Sequence, residues 1–251
     1  MSTGSVLAWQ GVIVLVFLGL WEFTGASSSL GVWVSRPSLI AGQLLTWMGG
    51  ALYRHLFITL AEMGIGLVVG GSLGVLAGLV IGHSPLASSV LRPIVVALYS
   101  VPMVALSPLF IIFFGLYMLP KIILVTKVVF FLMFFSVFSG VTQVDRDIIN
   151  SLRLMGASRV EEFCKVILPG CMVWIIGGLK ISLPYALVAA VTGEMLAATA
   201  GIGYLINDAS VTLNMTGLYA ALLVLMVLGL LIGEAAVQLE RRMLRWRNAS
   251  E

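Results

Sequence analysis

Sixty per cent of the 251 residues are hydrophobic, only 10% are charged and the net charge is +3, which excludes a soluble globular chain and gives no basis for nucleic-acid binding. Mean hydropathy of +1.11 comes from continuous apolar runs without the alternation of barrel strands, so the backbone must close its hydrogen bonds within helices. The expected fold is all-α, one polytopic transmembrane domain over residues 1–251.

The first apolar run, 6–25, has no basic leader and no small-residue cleavage site, and is read as a retained span. Residues 36–54, between Arg36 and Arg54 and with Trp33 and Trp47 as interfacial aromatics, read as an amphipathic or re-entrant connection. The second span, 55–81, leads into a glycine every fourth residue: Gly66, Gly70, Gly74, Gly78 and Gly82. Each step of four turns a helix by ~400°, so the glycines form a narrow, slowly drifting groove. Such a groove lets a second helix approach closely, a simpler use than contact with a solute.

The third span, 88–116, contains Pro93, Pro102 and Pro108, with Tyr99, Ser100, Met103 and Ser107 around them. An interior proline removes a backbone hydrogen bond and bends the helix, which suits either a static kink or a helix lining a pathway. The fourth, fifth and sixth spans are expected at 120–142, 171–198 and 217–238. With both termini inside, the inner side collects Arg92, Arg146, Arg153, Arg159, Lys165, Arg241, Arg242, Arg245 and Arg247, against Arg36, Arg54 and Lys121 outside. That excess sets the expected orientation.

Ionisable groups are rare within lipid and mark function by default. Lys127, Lys180, Glu194 and Glu234 fall in or near spans. Lys180 could snorkel to the inner surface or face an inward cavity that receives an anion. Glu194 favours a structural or gating hydrogen bond, because a carboxylate would repel an anionic solute. Glu62 and Glu234 read as interfacial or helix-pairing residues, and Lys127 as a partner for an acid or a solute contact. Cys164 and Cys171 read as plain thiols, with no metal set around them. No nucleophile–base pair and no G-x-x-x-x-G-K-[ST] phosphate loop occurs, so the chain is not expected to be an enzyme or to bind ATP itself.

Between the fourth and fifth spans lies a polar island, 145–169, holding eight of the 25 charged residues. Its pattern predicts a helix over about 146–155 ending at Gly156, then a second helix from Ser158 with Glu161 near a capping-box position. Leu152, Met155 and Val160 would offer apolar knobs, and Arg153 and Arg159 donors.

Gly156-Ala157-Ser158-Arg159 followed by Leu168-Pro169 resembles the EAA motif of permease subunits of ATP-binding-cassette importers. Arg36-Pro37-Ser38, Ser107-Pro108-Leu109, Phe114-Gly115, Gly193-Glu194-Met195-Leu196 and Gly201-Ile202-Gly203 extend the resemblance over about 36–245, towards the nitrate/sulfonate/taurine/bicarbonate branch. The resemblance implies that Asn150, Arg153, Leu154, Met155, Gly156, Ala157, Ser158, Arg159, Leu168 and Pro169 couple the permease to an ATPase. It implies two permease copies, two ATPase subunits that bind ATP and magnesium, an extracytoplasmic solute-binding protein and a small anionic solute such as a sulfonate, nitrate or bicarbonate. The chain itself would carry no cofactor and sit in the inner membrane of a prokaryote. The solute pathway would use Tyr99, Ser100, Pro102, Met103, Ser107, Lys127, Lys180 and Glu194. The motif's usual Glu-Ala-Ala falls on Asn150-Ser151-Leu152, so its glutamate is replaced. An ion-coupled secondary transporter is the alternative; it would work without an ATPase and predicts an inverted repeat, which the spans do not display.

Overall fold

The computed structural model describes residues 3–27 and 31–244; the expected inner-side Arg245 and Arg247 lie outside them. All regular structure among the described residues is helical. The first span is α1 (Thr3–Ser27), followed by a short α2 (Gly31–Val34) and by α3 (Pro37–Met48). The expected connection 36–54 is therefore largely a helix, started by Pro37, whose missing N–H costs nothing in the first turn. The second span is α4 (Ala51–His83), the fourth α7 (Met118–Thr142) and the sixth α12 (Met215–Met243).

The third span departs from one bent rod. It is two helices, α5 (Pro85–Ser100) and α6 (Met103–Phe114), which meet at 86°. Of the three prolines only Pro102 lies at the break; Pro93 and Pro108 sit inside helices. Val101 precedes Pro102 and adopts extended backbone, as the proline ring requires of its predecessor, and the helix stops there. Among the described residues five helices are long and apolar enough to cross a bilayer, six if α5 and α6 count as one broken span.

The island forms α8 (Arg146–Leu154) and α9 (Arg159–Glu162). From α9 the chain continues through a π-helical turn, Phe163–Ile167, into α10 (Leu168–Leu196), so the fifth span is helical well before its expected start at 171. A short α11 (Ile202–Val211) then connects α10 to α12.

The centre of the fold is the pair α4 and α7, which run parallel: contacts proceed in step from Gly66 at Val125 to Gly82 at Val141. An added Cβ at Gly66, Gly70, Gly74 or Gly78 would stand 2.5–2.8 Å from atoms of Val125, Thr126, Phe130 or Val137 on α7. The glycines thus form the groove in which α7 lies, and Gly82 continues it against Val141. In lipid this close backbone approach supplies the dispersion contacts that water-driven burial supplies elsewhere. The α10 helix packs on the other side of α7, with Gly140 under Trp174 and Gly178 against Ser136.

Lys121 corrects the expectation of an outer-loop charge. It is 4% exposed and its ammonium lies 2.9 Å from the Glu62 carboxylate, itself fully buried. The pair joins α4 to the Met118 end of α7, where two charges at matching depth can compensate each other.

Candidate coupling elbow and solute pathway

The elbow between α8 and α9 is made by two complementary caps. Asp145 begins α8 by accepting from the Asp147 N–H at 2.8 Å. At the other end Gly156 adopts φ +87°, a conformation costly for any residue with a Cβ. The Gly156 N–H donates to the Arg153 carbonyl at 3.0 Å and the Ala157 N–H to Leu152 at 3.1 Å, the paired bonds of a Schellman end. Immediately beyond, Ser158 and Glu161 form a complete capping box for α9. The chain therefore reverses in two residues with its helix-end groups satisfied.

Across the elbow, Arg153 Nε and Nη2 donate to the two Glu162 carboxylate oxygens at 2.9 and 2.8 Å. This fork fixes the angle between α8 and α9. Arg153, expected as a donor to a partner, thus commits Nε and Nη2 within the chain. Arg153 holds the Glu162 carboxyl below its ordinary range, and Lys165 with Ser158 brings Glu161 down to about 2. The outward apolar knobs are Leu154, Met155 and Val160, 90%, 83% and 71% exposed. Leu152, expected among them, is half-buried. Such exposure of large apolar groups on a polar segment marks a contact surface. Leu168 and Pro169 are the first residues of α10 and belong to the span instead of the tip.

Asn150, Arg153 and Arg159 also line a cavity of about 430 Å³ behind the elbow, closed by Gly82–Pro85 and the end of α7.

The break between α5 and α6 forms a second cavity, of about 280 Å³. Tyr99, Ser100, Pro102, Met103 and Lys127, all pathway candidates, line it together with Phe131 and Tyr185. Lys127 Nζ donates to the Val101 carbonyl at 2.6 Å, an acceptor left free because Pro102 ended the helix. Lys127 pairs with no acid among the described residues.

Three other pathway candidates lie elsewhere. Ser107 is buried, its hydroxyl 3.5 Å from the Met103 carbonyl. Lys180 is held at 2.6 Å by Glu240 of α12, which answers the choice between snorkelling and an anion cavity with an ion pair. Glu194 is 1% exposed and serves as a cap. Its two oxygens accept from Thr59 Oγ1 at 2.7 Å and from the Gly203 N–H at 2.7 Å. The Ile202 N–H donates to Thr59 Oγ1 and the Gly201 N–H to His55 Nδ1. The N-terminus of α11 is thus capped by side chains of α4 and α10. His55 reads in the sequence only as a membrane-edge histidine and Thr59 escaped notice; their spacing of four on one face of α4 was the available signal.

Residues 70–245 match the family described as the binding-protein-dependent transport system inner membrane component. The chain is 31% identical over 249 residues to SsuC of Bacillus subtilis (strain 168), whose name assigns it to aliphatic sulfonates transport, covering 97% of this chain and 90% of that one. It is 28% identical to the taurine transport system permease protein TauC of Escherichia coli (strain K12), over 94% and 88% of the two chains. The formylaminopyrimidine transport permease protein ThiX of Halalkalibacterium halodurans is 27% identical over 93% of both. Among solved structures, the MetNI methionine ABC transporter in an inward facing conformation shares the fold with TM-score 0.66 and 21% identity, over 76% of this chain and 95% of that one. Sequence match and fold agree, and the chain belongs to the inner membrane components of binding-protein-dependent transport, as an ABC importer permease of the sulfonate/taurine branch.

Proposed function

We propose that this permease moves a small anionic solute, a sulfonate or a similar oxyanion, into the cell by alternating access. Two copies form the pathway and both termini are cytoplasmic. One ATPase subunit docks on each elbow, taking Leu154, Met155 and Val160 into an apolar groove, and holds the ATP and magnesium. An extracytoplasmic binding protein delivers the solute. The exposed apolar faces of α5 and α6, including Leu98, Val104, Ile112 and Phe113, support burial against a second copy.

The observation that carries the anion reading is Lys127. Its ammonium stands at the bend of the broken span, in a cavity with aromatic and hydroxyl groups and no carboxylate. The break frees the backbone there to change conformation as the two sides open in turn. The names of SsuC and TauC support the same solute class, whereas that of ThiX points to a heterocycle.

The test is reconstitution of the chain with its ATPase in liposomes, scoring ATP hydrolysis and uptake with binding proteins loaded with a sulfonate, with taurine or with a formylaminopyrimidine. Sulfonate- or taurine-stimulated uptake that Lys127→Met reduces at least tenfold, with the complex intact, supports the reading. Uptake of only the pyrimidine, indifferent to Lys127→Met, refutes it.

A further inference from the structure

We propose that the cleft behind the elbow is a binding site for a phosphate- or sulfonate-like oxyanion, held by Arg92 and Arg159 with Asn150 and His83. The binding stands on the cleft itself; its effect on transport rests on the coupling role proposed above.

The cavity of about 430 Å³ behind the elbow adjoins one of about 400 Å³ beneath α5, and the two share Gly82, His83, Pro85 and Thr142. Together they make one cleft between the elbow and the inner ends of α4, α5 and α7, of a size that holds small ligands. Among the described residues its only acid is Glu162, and both oxygens of that carboxylate are taken by Arg153. Neither Arg92 nor Arg159 forms an ion pair among the described residues, although Arg159 stands near enough to Glu162 to help lower its carboxyl. The Arg92 guanidinium lies 5.4 Å from the centre of the Phe138 ring, a contact that orients it without neutralising it.

Asn150 sharpens the charge balance. It stands where the motif's usual glutamate would stand, and it lines the cleft as a neutral amide with donors to offer. A glutamate there would place a second negative charge among the arginines; with asparagine, Glu162 alone faces Arg92, Arg153 and Arg159 among the described lining residues. Guanidinium forks bind oxyanions through paired, charge-assisted hydrogen bonds. The chemistry fits a free phosphate or sulfonate arriving from the cytoplasm equally with the phosphate of an inner-leaflet lipid, since basic pockets at the inner ends of spans take anionic headgroups. An anion seated there touches the elbow through Asn150 and Arg159 and the membrane part through Arg92, so its occupancy would set how firmly the two are joined.

The test uses the full chain in lipid nanodiscs and follows hydrogen exchange of amides 148–163. In phosphatidylcholine discs, sodium phosphate is titrated against sodium chloride at equal ionic strength. At twice its half-saturating concentration, phosphate should slow exchange about threefold. Asn150→Glu and Arg159→Gln should abolish the slowing, whereas Arg159→Lys, which keeps the charge, should retain part of it and so separate loss of the site from loss of the fold. In phosphatidylglycerol discs, slowing without added phosphate would assign the lipid headgroup as occupant. Absence of slowing in both kinds of disc, or equal slowing in Asn150→Glu, would overturn the proposal. Binding of the ATPase to the same discs is scored separately: a chain that binds phosphate but no ATPase would refute the coupling reading and leave the anion site standing.

Discussion

Replacing Gly70 with alanine tests how closely α4 and α7 mesh. The new Cβ would stand 2.5 Å from the Thr126 carbonyl oxygen, 3.0 Å from Thr126 Cα and 3.1 Å from the Phe130 nitrogen. All three are backbone atoms, so no side-chain rotation can make room, and the helices must part by about 0.9 Å to restore ordinary 3.4 Å contact. Overpacking of this kind costs about 1–3 kcal/mol, and the absence of a yielding rotamer places it in the upper half of that range. Alanine returns about 1 kcal/mol of helix propensity. Gly64→Ala, in the same helix, meets no atom within 4 Å and gains the propensity without the clash. The difference between the two variants isolates the packing loss. Unfolding by SDS titration, followed by tryptophan fluorescence, should place Gly70→Ala about 2–3 kcal/mol below Gly64→Ala. Midpoints that agree to within about 0.5 kcal/mol would refute the idea that the glycines are there for close approach.

Arg153→Gln should leave the protein folded but loosen the elbow, lowering binding-protein-stimulated ATP hydrolysis several-fold while basal hydrolysis by the ATPase persists; the swap Arg153→Glu with Glu162→Arg should recover part of the loss. Lys121→Met strands the buried Glu62 carboxylate and should destabilise by about 3–5 kcal/mol in the same titration, whereas Lys121→Met with Glu62→Met should cost less than Lys121→Met alone. In Gly156→Val the added Cβ meets no neighbour within 4 Å but the residue must hold φ +87°, so it should weaken ATPase co-purification through backbone strain of about 1–2 kcal/mol. Gly156→Asn, tolerant of that region, should behave closer to the parent chain. Equal behaviour of the two would refute strain as the cause.

Periodicity and turn chemistry made much of this chain readable. Long apolar runs place helices without ambiguity, because lipid offers no competing partner for the backbone. Gly156, Ser158 and Glu161 specify the elbow locally, each through a bond to a residue no more than a few positions away. The pocket at the third span was legible for Tyr99, Ser100, Pro102 and Met103, since a proline's neighbours necessarily surround the break it makes. What could not be read were the partners between distant elements. Lys121 and Glu62 are 59 residues apart, Lys180 and Glu240 are 60 apart, and Arg153 looks solvent-facing until α9 folds back to present Glu162. Charge type announces that a partner is needed; only packing says which acid supplies it. Likewise three prolines of equal standing in the sequence turned out unequal, because Pro93 and Pro108 sit where their helices absorb them and Pro102 does not.

The meshing of α4 with α7 has a mechanical corollary. Two helices meshed from Glu62 and Lys121 to Gly82 and Val141, with backbone contact at Gly70 and Gly74, cannot slide by a fraction of a turn without driving glycine Cα atoms into carbonyls or valine side chains, so they behave as one stave. With the Lys121–Glu62 pin at one end of that stave and Gly82 against Val141 at the other, shape change inside the subunit is pushed outward, to the right-angled corner at Val101–Pro102 and to the π-helical turn above the elbow. A stiff strut with one compliant joint at its Gly82 end and another beside its middle, where Lys127 meets Val101, is the layout of a lever: a small tilt delivered at the elbow would arrive at the corner as displacement instead of being lost as strain.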